Sequence, residues 1–221
     1  MKQKQFSIIF GVILFMELVG CAFSEFESIR YVTKPSLTIS LLAFLLIQKK
    51  IASRTRKLIA LGLVFSLMGD VLLMFTDHGE LYFMTGLFSF LVAHIMYISA
   101  FYKKGLLKNK ANIPYLIALI TYASTVLYFI GPNLGGLMPY VAAYIFVILI
   151  LGLVALLRKP IVNSTSYFLL LVGAFSFIAS DSLLAFNMFY QHFSLSAILI
   201  MLTYGLAQIL IVYGGIAESN E

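Results

Sequence analysis

Four ionisable side chains interrupt long apolar stretches of this sequence, and they are the residues best suited to chemistry. Glu17, Asp70, His94 and Asp181 each lie inside an apolar run. Within a membrane, such a side chain costs about 2.5–3.5 kcal/mol and indicates a functional site by default. Two ionised carboxylates are disfavoured in one buried site, so one aspartate is expected to hold a proton that it can donate. The pattern therefore predicts acid/base chemistry between Asp70 and Asp181.

Further polar side chains accompany these four at helical spacing. Tyr97 follows His94 by three residues, and Gln208 follows Tyr204 by four, so each pair shares one helix face. A lone buried tyrosine or glutamine more often makes an interhelical hydrogen bond, worth about 0.6 kcal/mol on average. Several polar side chains at one depth on different helices favour an enclosed polar cavity instead.

The histidines give little support for a metal site. His78 and His192 lie at the edges of apolar runs, whereas His94 is central, and no two histidines are four residues apart. Zinc sites usually need three or four converging ligands. We therefore expect the acid/base chemistry to need neither a metal nor another cofactor.

The composition explains what must position these residues. The chain of 221 residues is 62% hydrophobic and 11% charged, whereas soluble domains contain about 25% charged residues. A soluble fold would lack the polar side chains that cover its surface. The sequence therefore predicts a single transmembrane domain over residues 1–221, with an all-α fold embedded in the lipid bilayer as a polytopic helix bundle.

Eight apolar runs are candidate membrane helices, because about 20 residues cross the 30 Å hydrocarbon layer. They cover residues 6–23, 35–48, 58–76, 82–102, 113–130, 137–157, 166–187 and 195–214. The second run is short and begins at Pro35, a residue favoured in a first helical turn. At a rise of about 1.5 Å per residue, Glu17, Asp70 and Asp181 reach similar depths.

Basic side chains alternate between the loops and predict the orientation. Of fifteen Lys and Arg residues, only Arg30 and Lys34 fall on the side opposite the termini. The others are Lys2, Lys4, Lys49, Lys50, Arg54, Arg56, Lys57, Lys103, Lys104, Lys108, Lys110, Arg158 and Lys159. The positive-inside rule then predicts cytoplasmic termini, in a bacterial inner membrane, with both aspartates nearer the outer side. Since these clusters explain the net charge of +6, no nucleic-acid partner is expected.

The N-terminus allows a second interpretation. Lys2 and Lys4 before an apolar stretch resemble a signal peptide, and residues 18–21, which end at Cys21, resemble a lipoprotein cleavage box. Glu17 argues against this because it places a charge inside the apolar region. We expect this segment to be retained as the first helix. Cys21 is the single cysteine, so no internal disulfide framework exists.

Two pairs of segments suggest an internal duplication. The pattern D-x-L-L-x-F occurs at 70–75 and again at 181–186, and residues 93–96 resemble residues 207–210. Both pairs fit two repeats of four helices, related by an axis along the membrane normal. In a chain so rich in leucine and phenylalanine, such matches also arise by chance, and both interpretations stay open.

Lys34 precedes Pro35 where the second run enters the membrane. Its ammonium group either extends to the headgroup layer without a special purpose or holds a phosphate at the entrance of a cavity. The sequence favours neither.

Together these residues resemble the YhhN family of eight-helix membrane proteins, which includes the lysoplasmalogenases. The matching motifs are Lys34-Pro35, Ser66-Leu67-Met68-Gly69-Asp70, Gly86 through His94 and Tyr97, Ile178-Ala179-Ser180-Asp181, and Tyr204-x-x-Ala207-Gln208. Some bacterial members carry a neutral residue at the second acidic motif, but Asp181 is present here. The resemblance covers the second to the eighth run.

The resemblance implies hydrolysis of the vinyl ether bond of a membrane lysophospholipid, the lysoplasmalogen. The products are a fatty aldehyde and a glycerophospho-ethanolamine or -choline. Asp70 and Asp181 are expected to be the acid/base pair. The residues expected to bind the substrate are Lys34 at the phosphate, His94, Tyr97, Tyr204 and Gln208 around water or the enol ether, and Glu17 as a weaker candidate. The sequence does not determine the oligomeric state.

Two other functional classes remain at this stage. A parallel repeat with buried carboxylates is also typical of proton-coupled transporters of small molecules or lipids. Few of the apolar runs are interrupted by Gly or Pro, which argues against a transporter. A membrane scaffold without enzymatic activity would leave the buried aspartates unexplained.

Overall fold

The computed structural model describes residues 2–48, 51–104, 106 and 113–218. Within these ranges the chain forms eight long α-helices and no strand, which confirms the predicted all-α fold. The helices are α1 (Gln3–Ala22), α2 (Arg30–Leu46), α3 (Ser53–Leu73), α4 (Glu80–Phe101), α5 (Ile113–Ile130), α6 (Met138–Leu157), α7 (Ser164–Phe189) and α8 (Ser196–Glu218). Each overlaps one predicted run. Of the predicted basic clusters, Lys49, Lys50, Lys108 and Lys110 lie outside the described residues.

The start of α2 differs from the prediction. A 3-10 turn over Ser24–Ile29 leads directly into α2, so Pro35 lies inside the helix. Since proline has no N–H, position 35 cannot donate to the carbonyl of Tyr31. The earlier start adds more than one turn before the predicted span, and this turn carries Arg30 and Lys34.

By length and composition, seven of the described helices can cross a membrane. The remaining one is α3, which begins with Arg54, Arg56 and Lys57 and contains Asp70. Its 21 residues rise about 31 Å, and it packs along α4, a membrane-length helix. The chain is therefore an integral membrane protein, as predicted.

The helix contacts of residues 1–104 resemble those of residues 113–218 in the inner part of the bundle. α3 packs most extensively on α4, and α7 on α8. The second helix of each half packs against the fourth helix of the other half. These contacts are α2 with α8 and α6 with α4. The outer helices break this symmetry, because α1 contacts α2 and α8 whereas α5 contacts α6 and α7. The two halves are thus alike in their inner helices only.

Small residues allow α3 and α4 to approach closely. A Cβ atom at Gly62 would overlap the Tyr97 ring, and a Cβ atom at Gly69 would overlap the Phe90 ring. Interfaces between membrane helices use such small residues because close backbone approach increases van der Waals contact. The register of α3 against α4 is fixed one residue before Asp70.

A buried arginine ties the helix ends at the side of the termini. Arg158 follows α6 and is fully buried, and its Nη2 donates to Oε2 of Glu218 at 2.5 Å. Its guanidinium lies 4.9 Å from the centroid of the Phe101 ring, and Lys103 also pairs with Glu218. Burial lowers the pKa of Arg158, and Glu218 opposes that shift. Arg158 was assigned to a basic loop cluster, but it is a structural residue of the bundle.

Candidate active site

A cavity of about 330 Å³ lies at the end of the bundle where α2, α4, α6 and α8 begin. Asp70 and Asp181 both line it, together with Lys34 and Tyr204, so four predicted site residues share one space. Most of the remaining wall is apolar and comes from residues such as Leu73, Phe83, Leu87, Phe90, Val141, Ile145 and Met201. The cavity therefore suits a ligand that is largely hydrocarbon and carries few polar groups.

The first polar group, which we call the Asp70 station, consists of Asp70, Lys34, Thr38 and Tyr204. The Tyr204 hydroxyl donates to Oδ2 of Asp70 at 2.5 Å, and the Thr38 hydroxyl donates to the same oxygen at 3.0 Å. Lys34 Nζ lies 3.9 Å from Oδ1. Lys34 and Thr38 are one turn apart on α2 and share a face. Only 2% of the Asp70 side chain is exposed. Its carboxylate is held by two hydroxyl donors on one oxygen and by the nearby ammonium group of Lys34 beside the other.

A hydrogen-bond chain supports Tyr204 from behind. The Tyr97 hydroxyl donates to Oε1 of Gln208 at 2.8 Å, and Nε2 of Gln208 donates to the Tyr204 hydroxyl at 3.0 Å. Ser66 contacts the Tyr97 hydroxyl at 3.4 Å. Tyr97 and Gln208 are fully buried and are not among the described residues that line the cavity. Their hydrogen bonds orient the Tyr204 hydroxyl so that its proton points toward Asp70.

The second polar group, the Asp181 station, consists of Asp181, Tyr144 and His94. The Tyr144 hydroxyl donates to Oδ2 of Asp181 at 2.6 Å. Nε2 of His94 lies 3.9 Å from the same oxygen, which is too long for a hydrogen bond. The Asp181 side chain is 19% exposed, and Oδ1 has no hydrogen-bond donor among the described residues. Asp181 is therefore the less constrained of the two aspartates.

His94 lies behind Asp181 and not on the cavity wall. Its ring packs between Tyr144 and Phe177, with centroid distances of 5.4 and 4.9 Å. Within the described part of the chain, neither ring nitrogen makes a hydrogen bond of normal geometry, although the Phe90 carbonyl one turn earlier lies nearby. A buried imidazole with two unsatisfied nitrogens is uncommon. The His94 ring therefore has nitrogen atoms next to Asp181 that are free to make a hydrogen bond.

Glu17 is separate from the cavity. Its carboxylate is fully buried, accepts a hydrogen bond from Thr33 at 2.5 Å and pairs with Nε of Arg30 at 3.1 Å. Glu17 is not among the described lining residues, but Arg30 is. Glu17 therefore does not line the cavity itself but pairs with Arg30, which does.

Sequence reasoning missed three residues of this site. Tyr144 and Thr38 contact the aspartates directly. His192, which the sequence places at the edge of an apolar run, lines the cavity. The duplication was the signal available for Tyr144, because it makes α6 the counterpart of α2, the helix with Lys34 and Thr38. A lone tyrosine in an apolar run gives no other indication.

Comparison with known proteins identifies a family and two relatives. The profile of the YhhN family matches residues 29–215, which include both stations. Lysoplasmalogenase TMEM86A of Bos taurus is 35% identical to the chain over 167 residues, and so is lysoplasmalogenase TMEM86A of Homo sapiens. Each match covers 74% of this chain and 66% of the relative, so the chain spans about two thirds of the length of these relatives. No solved structure matches the chain.

Proposed function

The chain belongs to the YhhN family, and from this premise we propose that it is a membrane-embedded hydrolase of lysoplasmalogen-type lysophospholipids. It cleaves the vinyl ether bond to give a fatty aldehyde and a glycerophospho-headgroup. The observation that carries this proposal is the pair Asp70 and Asp181 on one mostly apolar cavity. The names of the two mammalian relatives support the same substrate class.

The chemistry begins with a proton transfer to carbon. Asp181 donates its proton to the alkenyl carbon furthest from the ether oxygen, and the electrons of the double bond form the new C–H bond. This leaves an oxocarbenium ion. Asp181 suits the acid role because its carboxylate has one described hydroxyl donor where Asp70 has two, and its side chain is the more exposed to the cavity. Asp70, held by Tyr204, Thr38 and Lys34, suits the role of a fixed anion that stabilises the cation.

Water then completes the reaction. It adds to the cationic carbon and loses a proton to the Asp181 carboxylate, which restores the acid. The hemiacetal loses its hydroxyl proton as the bond to the glycerol oxygen breaks, and that oxygen takes up a proton. The sum is one water consumed, with one aldehyde and one alcohol formed. His94 and Tyr144 position Asp181 in this scheme, as Gln208 and Tyr97 position Tyr204.

Two cations line the cavity wall and suit the phosphate of the headgroup. Lys34 is 12% exposed and Arg30 is 26% exposed, and both face the cavity. A phosphate between them would make charge-assisted hydrogen bonds. Their negative partners, Asp70 and Glu17, keep both side chains in place. Under the predicted topology, this end of the bundle faces the outer leaflet.

Aldehyde release from an alkenyl lysophospholipid tests the proposal. We expect release by the purified protein in nanodiscs, and its loss in the double variant Asp70→Asn/Asp181→Asn. Asp77→Asn is the matched control because Asp77 is an exposed loop residue. Wild-type release by a folded double variant would refute the two-aspartate mechanism. Proton movement across proteoliposomes without any aldehyde release would instead favour the transporter.

A further inference from the structure

An apolar groove lies on the lipid-facing side of the bundle, between α5 and α7. Its lining residues are Tyr115, Ala118, Leu119 and Tyr122 of α5, Leu156 of α6, and Phe175, Ile178 and Ala179 of α7. The α5 residues recur at helical spacing and form one stripe, and the α7 residues form the facing stripe. We propose that this α5–α7 groove binds the hydrocarbon chain of the lysolipid; the identity of that lipid rests on the proposed function.

The groove adjoins the cavity that holds the two aspartates. Tyr122 and Ile178 line both spaces. At this junction the Tyr122 hydroxyl pairs with the Ser182 hydroxyl at 2.6 Å. The same two stripes continue into the cavity with Val126 on α5 and Ala185 on α7. The cavity and the groove therefore lie next to each other along the interface between α5 and α7.

The size of the cavity favours such an extension. Its 330 Å³ lies at the lower end of the about 300–1,000 Å³ typical of pockets for drug-sized ligands, and a long-chain lysolipid carries a hydrocarbon tail in addition to its headgroup. The groove adds about 460 Å³. From Tyr115 to Tyr122 it runs about 10 Å along α5. With the headgroup at Lys34 and Arg30, the end of the chain extends beyond the cavity and into the groove.

The groove also directs the reacting bond toward Asp181. Ile178 lies one turn before Asp181 on the same face of α7. A chain in the groove therefore enters the cavity beside the Asp181 station and not beside Asp70. Of the seven membrane-length helices, α5 is the least buried, and it packs less extensively on α6 and α7 than α1 packs on α2 and α8. This looser side allows the lipid to enter laterally from the bilayer.

Photolabelling tests where the chain lies. The probe is a saturated alkyl-ether lysolipid that carries a diazirine in mid-chain, bound to the full-length protein in nanodiscs. We expect labels within residues 115–122 and 175–182, removed by an excess of unlabelled alkyl lysolipid. Competable labels confined to other helices, or no competable label, would overturn the proposal. Because this probe cannot be hydrolysed, labelling reports the groove independently of aldehyde release. If groove residues are labelled but the protein releases no aldehyde, the proposed hydrolase function is refuted while lipid binding in the groove stands.

Filling the groove gives a second test. Ala118→Trp and Ala179→Trp place an indole where the chain would lie. We expect each to weaken competable labelling, and hydrolysis of a long-chain substrate, by about tenfold, with a smaller loss for a short-chain substrate. Ala43→Trp, at an exposed alanine of α2, is the matched control and should keep wild-type values. Equal losses for both chain lengths, or no loss in labelling, would contradict the proposal.

Discussion

Asp70 and Asp181 lie on corresponding helices of the two halves of the bundle, and each faces the fourth helix of the opposite half. Asp70 contacts Tyr204 of α8, and Asp181 lies beside His94 of α4. Each also contacts the second helix of its own half, through Thr38 or Tyr144. The topology around the two carboxylates is thus the same.

Their surroundings nevertheless differ. Asp70 is 2% exposed and has two hydroxyl donors and an ammonium group around it. Asp181 is 19% exposed and has one hydroxyl donor and an imidazole outside hydrogen-bond distance. A carboxylate with many donors is stabilised as a fixed anion, whereas one with few donors exchanges its proton more readily. A near-symmetric frame therefore provides two carboxylates with different roles, as acid/base chemistry requires.

The largest effect is expected at Asp181. Asp181→Asn removes the proposed proton donor, and we expect aldehyde release to fall by about 10³-fold. The melting temperature should change little, because among the described residues Asp181 makes one hydrogen bond and no pair with Lys or Arg. Rate and melting temperature measured on the same preparation check this. A smaller loss than that of Asp70→Asn would reverse the two roles.

Asp70→Asn should reduce both activity and stability. Loss of the fixed anion is expected to lower the rate by about 10²-fold. Lys34 then has no carboxylate partner in a largely buried position, so the melting temperature should fall as well. The double variant Asp70→Asn/Lys34→Met should recover stability without recovering activity. Unchanged stability in the single variant would show that the Lys34–Asp70 pair contributes little.

The two tyrosines provide a matched pair of smaller changes. Tyr144→Phe removes the hydroxyl that donates to Asp181, and we expect about a tenfold loss of rate. Tyr204→Phe leaves Thr38 and Lys34 at Asp70, so the expected loss is about threefold. Initial rates at saturating substrate measure both. Equal losses would indicate that the two stations are less different than their contacts suggest.

The smallest effect is expected at Tyr97. Tyr97→Phe removes a hydroxyl that does not touch Asp70. This hydroxyl donates to Gln208, and Gln208 in turn donates to Tyr204. Such interhelical hydrogen bonds contribute about 0.6 kcal/mol on average, so the rate should fall less than about threefold. A much larger loss would mean that the hydrogen bonds from Tyr97 through Gln208 to Tyr204 do more than orient the Tyr204 hydroxyl toward Asp70.

The sequence by itself was sufficient for the class of fold and for the similar depth of the two aspartates. Apolar runs of membrane length form helices because a backbone in lipid must satisfy its own hydrogen bonds. The regular rise of a helix also converts position along the chain into depth. This is why Asp70 and Asp181 were placed at similar depths, and both line one cavity. Charged residues within such runs were visible because they are rare there.

Only the tertiary structure decided which side chains meet. Tyr144, Thr38 and the buried Arg158 depend on how each helix is rotated and which neighbour it packs against, and spacing along one helix does not contain that information. The same applies to Lys34, whose ammonium lies on the cavity wall 3.9 Å from Asp70. Glu17 shared the depth of the aspartates but faces Arg30 and Thr33 instead. Depth is a property of one helix, whereas a site is a property of several.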